Sequence, residues 1–195
     1  KFFLECLALQ EEKVSLEVSI RNASKDDIEP MLCLYSQIVV MGTGSLDLQL
    51  PSSKDIERTR EYAEEHHCPC FVAEVSGEVV GFAYVLPFSP EQGYVNTVRD
   101  FVFVHPEAQG DGVGTQLLTA LIAECESKGY RQMIAYIGDK ENKAAIALHE
   151  NCKFERVGEL KSVGWKLGRW LDTLVYQRVL QPGDADAPTL SGEEN

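Results

Sequence analysis

Residues 108–130 read AQGDGVGTQLLTALIAECESKGY. Gly110, Gly112 and Gly114 fall within five positions that hold no hydroxyl and no lysine, and a helical run follows at once. In that run Val113, Leu117, Leu118, Leu121, Ile122 and Cys125 fall on one helical face, and Gly129 is its natural stop. Upstream, VRDFVFVHP (98–106) reads as a strand ended by Pro106. A strand that enters glycines and then a helix N-terminus can hold phosphate. The first helical N–H groups lack internal partners, the helix dipole adds positive charge, and glycine lets the main chain approach closely. A P-loop requires GxxxxGK[ST], and no lysine follows. A dinucleotide fingerprint requires GxGxxG, and here the glycines are two apart. A turn that merely joins strand to helix remains the plain alternative.

Outward from this corner the chain reads as one α/β domain over 18–180. LEVSIRNAS is a first strand, Ser24 caps a helix over SKDDIEPMLCLYSQIV, and MGTGSLDLQLPSS is a turn-rich loop. SSKDIERTREYAEEHH is a second helix, and two β-rich runs flank a hairpin at Ser76-Gly77. After the corner and its helix come a buried-type strand (RQMIAYIG), a short helix (ENKAAIALHEN) and two closing strands. The order is β-α-α-β-β-β-α-β-α-β-β, a mixed sheet with helices upon it. An extra N-terminal segment, 1–17, is expected to be helical, with a targeting remnant as the alternative. Because the chain starts without methionine, its true start is expected upstream or removed. Residues 181–195, acidic with Pro and Gly and no bases, are expected to be a disordered tail.

The chain has 195 residues, 44% hydrophobic and 25% charged, with a formal charge of −13. That balance argues against nucleic acid as partner, which would call for a basic face. No apolar run reaches the roughly 18 residues of a membrane span. The six cysteines are scattered, and Cys68-Pro-Cys70 has no second pair at zinc spacing. No metal is expected, and reduced thiols point to a cytoplasmic location.

Gln109, Gly112 and Gly114, after a strand ending Val104-x-Pro106, form Gln-x-x-Gly-x-Gly. With VFVHPEAQGDGVGTQLLTALI, ALHENCKFERVG and GWKLGRWLDT, it resembles the GNAT N-acetyltransferases. The similarity is to the phosphinothricin and methionine-sulfoximine branch, and it runs from about Ile20 to Leu180. The resemblance implies acetyl-CoA as cosubstrate, a small-molecule amine as acceptor, a detoxifying role and a homodimer. It implies that Gln109, Gly110, Asp111, Gly112, Val113, Gly114 and Thr115 cradle the pyrophosphate. Phe103 and Val104 would pair with the pantetheine arm, and Asn142, seven residues before His149, would sit near the cofactor. A polar residue at a helix N-terminus is the plain alternative for Asn142. His149 matches the branch's histidine and would serve as acid or orient the thioester; a helix histidine packed on the sheet is the alternative.

Where that branch has glutamate as its candidate base, YVNTVRDFVFV places Arg99, and arginine stays charged. Asp100, a water chain or Glu74 are left as candidates for the base. Asp100 would need a bulge to reach the face of Arg99, since neighbouring strand residues point opposite ways. Val95 stands where the branch has a carboxylate-binding arginine, so Arg99 is expected to be a relocated anion clamp. Tyr94 and Trp165 complete the expected acceptor site. A polyamine or protein amine as acceptor, or an acetyl-CoA-binding protein without turnover, are the competing readings.

Overall fold

The computed structural model describes residues 17–185 and Ala187. Most of the N-terminal segment and most of the acidic tail therefore lie outside the described residues. The strands are β1 (Val18–Asn22), β2 (Cys70–Val75), β3 (Glu78–Pro87), β4 (Thr97–Val104), β5 (Gln132–Ile137), β6 (Glu155–Lys166) and β7 (Arg169–Val179). The helices are α1 (Ile28–Met41), α2 (Ser53–Glu65), α3 (Val113–Ser127) and α4 (Lys143–Asn151). The order matches the sequence expectation element for element.

Local chemistry sets the boundaries. Ser24 opens a short 3-10 turn before α1 and closes a capping box with Asp27. Ser52 and Asp55 do the same for α2. Ser76 and Gly77 both take positive φ, 53° and 85°, as the tight β2–β3 hairpin requires.

The seven strands form one sheet in the order β1-β2-β3-β4-β5-β7-β6. α3 and α4 pack on one face, where Leu117, Leu118, Leu121 and Cys125 join Val98, Val85 and Met133 in the larger core. α1 and α2 cover the other, over Phe82, Phe103, Val72 and Met31.

One irregularity positions the site. β4 and β5 run parallel and pair only across Thr97–Gln132, Val98–Met133 and Arg99–Ile134. β4 stays on β3 out to Val104, while β5 stays on β7 out to Ile137. From Asp100 onward, then, one edge of β4 has lost its parallel neighbour. The two strands part into a wedge whose β4 side carries main-chain donors and acceptors.

Candidate active site

The wedge opens into a cleft of about 750 Å³ that leads to the glycine corner. Val102, Phe103 and Val104 form its β4 wall, with Gln109, Gly110, Gly112, Gly114 and Thr115 at the corner. Asn142, Ala145 and Leu148 of α4 stand opposite, and Ile38, Met41, Thr43 and Gly44 close it from the α1 side. Gly110 and Gly112 have φ of 86° and 83°, which a side-chain-bearing residue adopts only under strain. Gly112 is the N-cap of α3, and the helix ladder starts with the Gln116 amide on the Gly112 carbonyl. The opening amides of Val113, Gly114 and Thr115 precede that first rung. Among the described residues no lysine or arginine lines the cleft, so an anion at the corner would depend on main-chain N–H groups and the helix dipole.

Eight of the ten residues expected at the cofactor line this cleft: Phe103, Val104, Gln109, Gly110, Gly112, Gly114, Thr115 and Asn142. Asp111 and Val113 do not line it; the Val113 side chain is buried in the core behind the corner. Two of the eight also hold the fold. The Gln109 side chain donates to the Val104 carbonyl at 3.1 Å, which fastens the corner to the end of β4. Asn142 caps α4, its Oδ1 accepting from the Ala145 amide at 3.1 Å.

His149 and Asp100, far apart in sequence, meet across the β4–α4 interface. His149 Nε2 lies 3.0 Å from Asp100 Oδ2, with the side chains 8% and 2% exposed. The other ring nitrogen, Nδ1, lies 2.7 Å from the Ala145 carbonyl. A carbonyl only accepts, so Nδ1 carries the proton, and Nε2 faces a carboxylate. Burial alone would push the imidazole pKa down. The hydrogen bond and charge of Asp100, aided by Ala145, outweigh it, and the net direction is upward. Both nitrogens are thus engaged inside the protein, and neither His149 nor Asp100 is among the residues lining the cleft. Asp100 Oδ1 is buried without a hydrogen-bond partner.

The β3–β4 register is unbroken from Gly81–Val104 to Pro87–Val98. The bulge that would swap Arg99 and Asp100 is absent, and they point to opposite faces. On the α1 face the Arg99 guanidinium lies 4.5 Å from the Phe101 ring centre and 4.6 Å from that of Tyr136. Its Nε is buried without a hydrogen-bond partner, and burial lowers its pKa. No carboxylate among the described residues forms an ion pair with it.

The remaining expected residues lie elsewhere. Glu74 on β2 is bound by Arg21, which also holds Asp27. Tyr94 packs edge-on against Phe88 at 5.3 Å and is not among the residues lining the cleft. Trp165 meets Trp170 across the β6–β7 pair at 5.2 Å; the two are 52% and 62% exposed.

Sequence reasoning missed the frame at the cleft mouth. Asp139, just after β5, accepts from Thr43 at 2.7 Å and from Arg169 at 2.6 Å. Burial alone would raise its pKa, but those donors and the Glu141 amide hold it below the usual carboxylate range. Buried Lys166 donates to the carbonyls of Val39 (2.8 Å) and Ser45 (2.6 Å), tying the α1–α2 connection to β6. The one sequence signal was the polar cluster around Trp165–Asp172, whose partners lie more than a hundred residues upstream for Lys166.

Comparison with known proteins agrees with this geometry. Residues 43–154 match the acetyltransferase (GNAT) family. The phosphinothricin N-acetyltransferase of Alcaligenes faecalis is 38% identical over 87% of this chain and 86% of its own length. The L-methionine sulfoximine/L-methionine sulfone acetyltransferase of Salmonella typhimurium is also 38% identical, over 88% of this chain and 98% of its own. A crystal structure of a GNAT superfamily phosphinothricin acetyltransferase from Sinorhizobium meliloti, in complex with AcCoA, superposes with a TM-score of 0.86. It is 35% identical and covers 89% of this chain and 94% of that one. With its strand-to-helix glycine corner, parted β4–β5 pair and these relatives, the chain belongs to the GNAT acetyltransferase family.

Proposed function

We propose that this protein transfers the acetyl group of acetyl-CoA to the primary amine of an α-amino acid or amino-acid analogue. The observation that carries it is the wedge between β4 and β5 leading to the glycine corner. The residues fit such a cosubstrate. Gly112–Thr115, ahead of the first rung of α3, offer main-chain donors for the pyrophosphate, and the parted edge at Phe103 and Val104 can pair with an amide-bearing arm as an added strand would. Acetyl-CoA supplies an activated thioester. The protein's part is to hold the amine in line with it and to offer N–H groups of the parted strand where negative charge develops on oxygen. The amine must lose its proton before attack. Since His149 has both nitrogens engaged, we assign that proton to water in the cleft. His149 and Asp100 act as positioning residues that fix α4 against β4.

Arg99 is the residue we assign to the acceptor's carboxylate. A half-buried guanidinium stacked on two rings, with no hydrogen bond at Nε and no acid partner among the described residues, suits that planar anion. Resistance to amino-acid analogues is the corresponding biological role. The free thiols of Cys33, Cys68, Cys70, Cys125 and Cys152 support a cytoplasmic location. The exposed strip of β6 and β7, with Val163, Trp165 and Trp170, supports a homodimer through this edge.

The test is thiol release from acetyl-CoA with phosphinothricin, methionine sulfoximine, methionine sulfone, free amino acids and spermidine. Release is expected with α-amino acids. Arg99→Ala should raise their KM by about 10–100-fold, the value of a hydrogen-bonded charge pair. An unchanged KM would remove Arg99 from this role, and silence across the panel would overturn the activity.

A further inference from the structure

A second, smaller cavity of about 150 Å³ lies beneath the α1–α2 connection. Its walls include Phe82, Phe103, Tyr35 and Tyr84, and its polar groups include Asp47 and Asp55. Phe103 is the wall it shares with the large cleft. Tyr35 stands edge-on to Phe103 at 4.7 Å, and Tyr84 lies parallel to Phe82 at 6.3 Å. The Tyr35 hydroxyl donates to Asp47 Oδ2 at 2.7 Å. The Tyr84 hydroxyl has no hydrogen-bond partner among the described residues, and burial pushes its pKa up, so it stays a neutral donor and acceptor. Among the described residues no lysine or arginine lines this cavity, and Arg58 pairs with Asp55 at 3.6 Å.

Resting on the acetyl transfer proposed above, we propose that this cavity receives the acceptor's side chain and selects one ending in an N–H-bearing group over one ending in an anion. The volume admits the end of a side chain and is far too small for a nucleotide. Aromatic faces favour positively polarised hydrogens, and a carboxylate accepts from N–H. Tyr84 is left to bond an oxygen or nitrogen of the same group. A phosphinate would meet the carboxylate of Asp47 with like charge, whereas Asp55 is already held by its cap with Ser52 and by Arg58 at 3.6 Å. Methionine sulfoximine and methionine sulfone differ at sulfur by N–H against oxygen and are otherwise alike in shape, so they isolate the effect.

Thiol release measured with wild-type protein should give kcat/KM for the sulfoximine at least about tenfold above the sulfone, the range that one paired polar group supplies. Phosphinothricin should be the poorest of the three. Asp47→Asn keeps an acceptor for Tyr35 but removes the charge, and Tyr84→Phe removes the free hydroxyl. Each should move the sulfoximine-to-sulfone ratio toward one while the KM for acetyl-CoA holds. If Tyr84→Phe fails to fold, Asp47→Asn, on a surface connection, decides alone. A wild-type ratio near one, a preference for phosphinothricin, or ratios unmoved in both variants would overturn the assignment while leaving acetyl transfer intact. No release with any amine would overturn acetyl transfer and this selectivity with it.

Discussion

Removing the carboxylate of Asp100 separates a structural pair from a catalytic one. His149 and Asp100 touch at 3.0 Å with almost no exposure, and Nδ1 is held by Ala145. Asp100→Ala leaves a buried imidazole with one nitrogen unpaired and a small void, a change that costs about 3–5 kcal/mol. For a chain of this size that is a fall in Tm of roughly 6–20 °C. Asp100→Asn should cost far less. A neutral His149 with its proton on Nδ1 can accept at Nε2 from the asparagine amide. The pH dependence carries the sign. Because the folded-state pKa of His149 is raised, the pair's stabilisation is fully present below about pH 6.5, the unfolded value. It is then lost as pH rises through the folded pKa, by at most about 1.4 kcal/mol per pH unit. Urea unfolding between about pH 6 and 8, below the ordinary cysteine range, should show this decline in wild type and a flat profile in Asp100→Asn. If the pair only positions α4, Asp100→Asn should keep kcat within a few-fold. Asp100→Ala melting within about 2 °C of wild type, or a decline that persists in Asp100→Asn, would refute the reasoning.

Two further outcomes follow from the cleft and its frame. Gly112→Ala forces a methyl-bearing residue to φ of 83° at the N-cap of α3, where the added carbon meets no neighbour but the backbone is strained. It should cost about 1–2 kcal/mol and raise the KM for acetyl-CoA more than that for the amine, read from initial rates with each varied in turn. Lys166→Met removes the donor shared by the Val39 and Ser45 carbonyls. The α1–α2 connection should then be cut faster in limited proteolysis, with a loss of about 1–3 kcal/mol for the stranded carbonyls.

The element order, the Ser76-Gly77 turn, the apolar face of α3 and the glycine corner were legible because each depends on neighbours a few residues apart. Periodicity, capping and positive φ are local properties. The same holds for the cleft wall at Phe103–Thr115, which is one continuous strand, corner and helix. Asn142 was legible as a residue near the cleft, and its capping bond is local too.

The rest was decided by contacts that no short window contains. Strand alternation put Arg99 and Asp100 on opposite faces, but only the unbroken register with β3 excluded the bulge that would have exchanged them. His149 has an identity in the sequence and a function only in the fold, since its partner is 49 positions away and both its nitrogens are taken. The mouth of the cleft joins Thr43 to Asp139 across 96 positions and Lys166 to Val39 across 127. The second cavity is lined from α1, the α1–α2 connection, α2, β3 and β4 together. Sequence by itself determined the elements and the glycine corner, because those follow from local backbone chemistry. Tertiary structure alone decided which charges are paired, which stay free and which face the cleft, because burial and partnership are set by packing between distant segments.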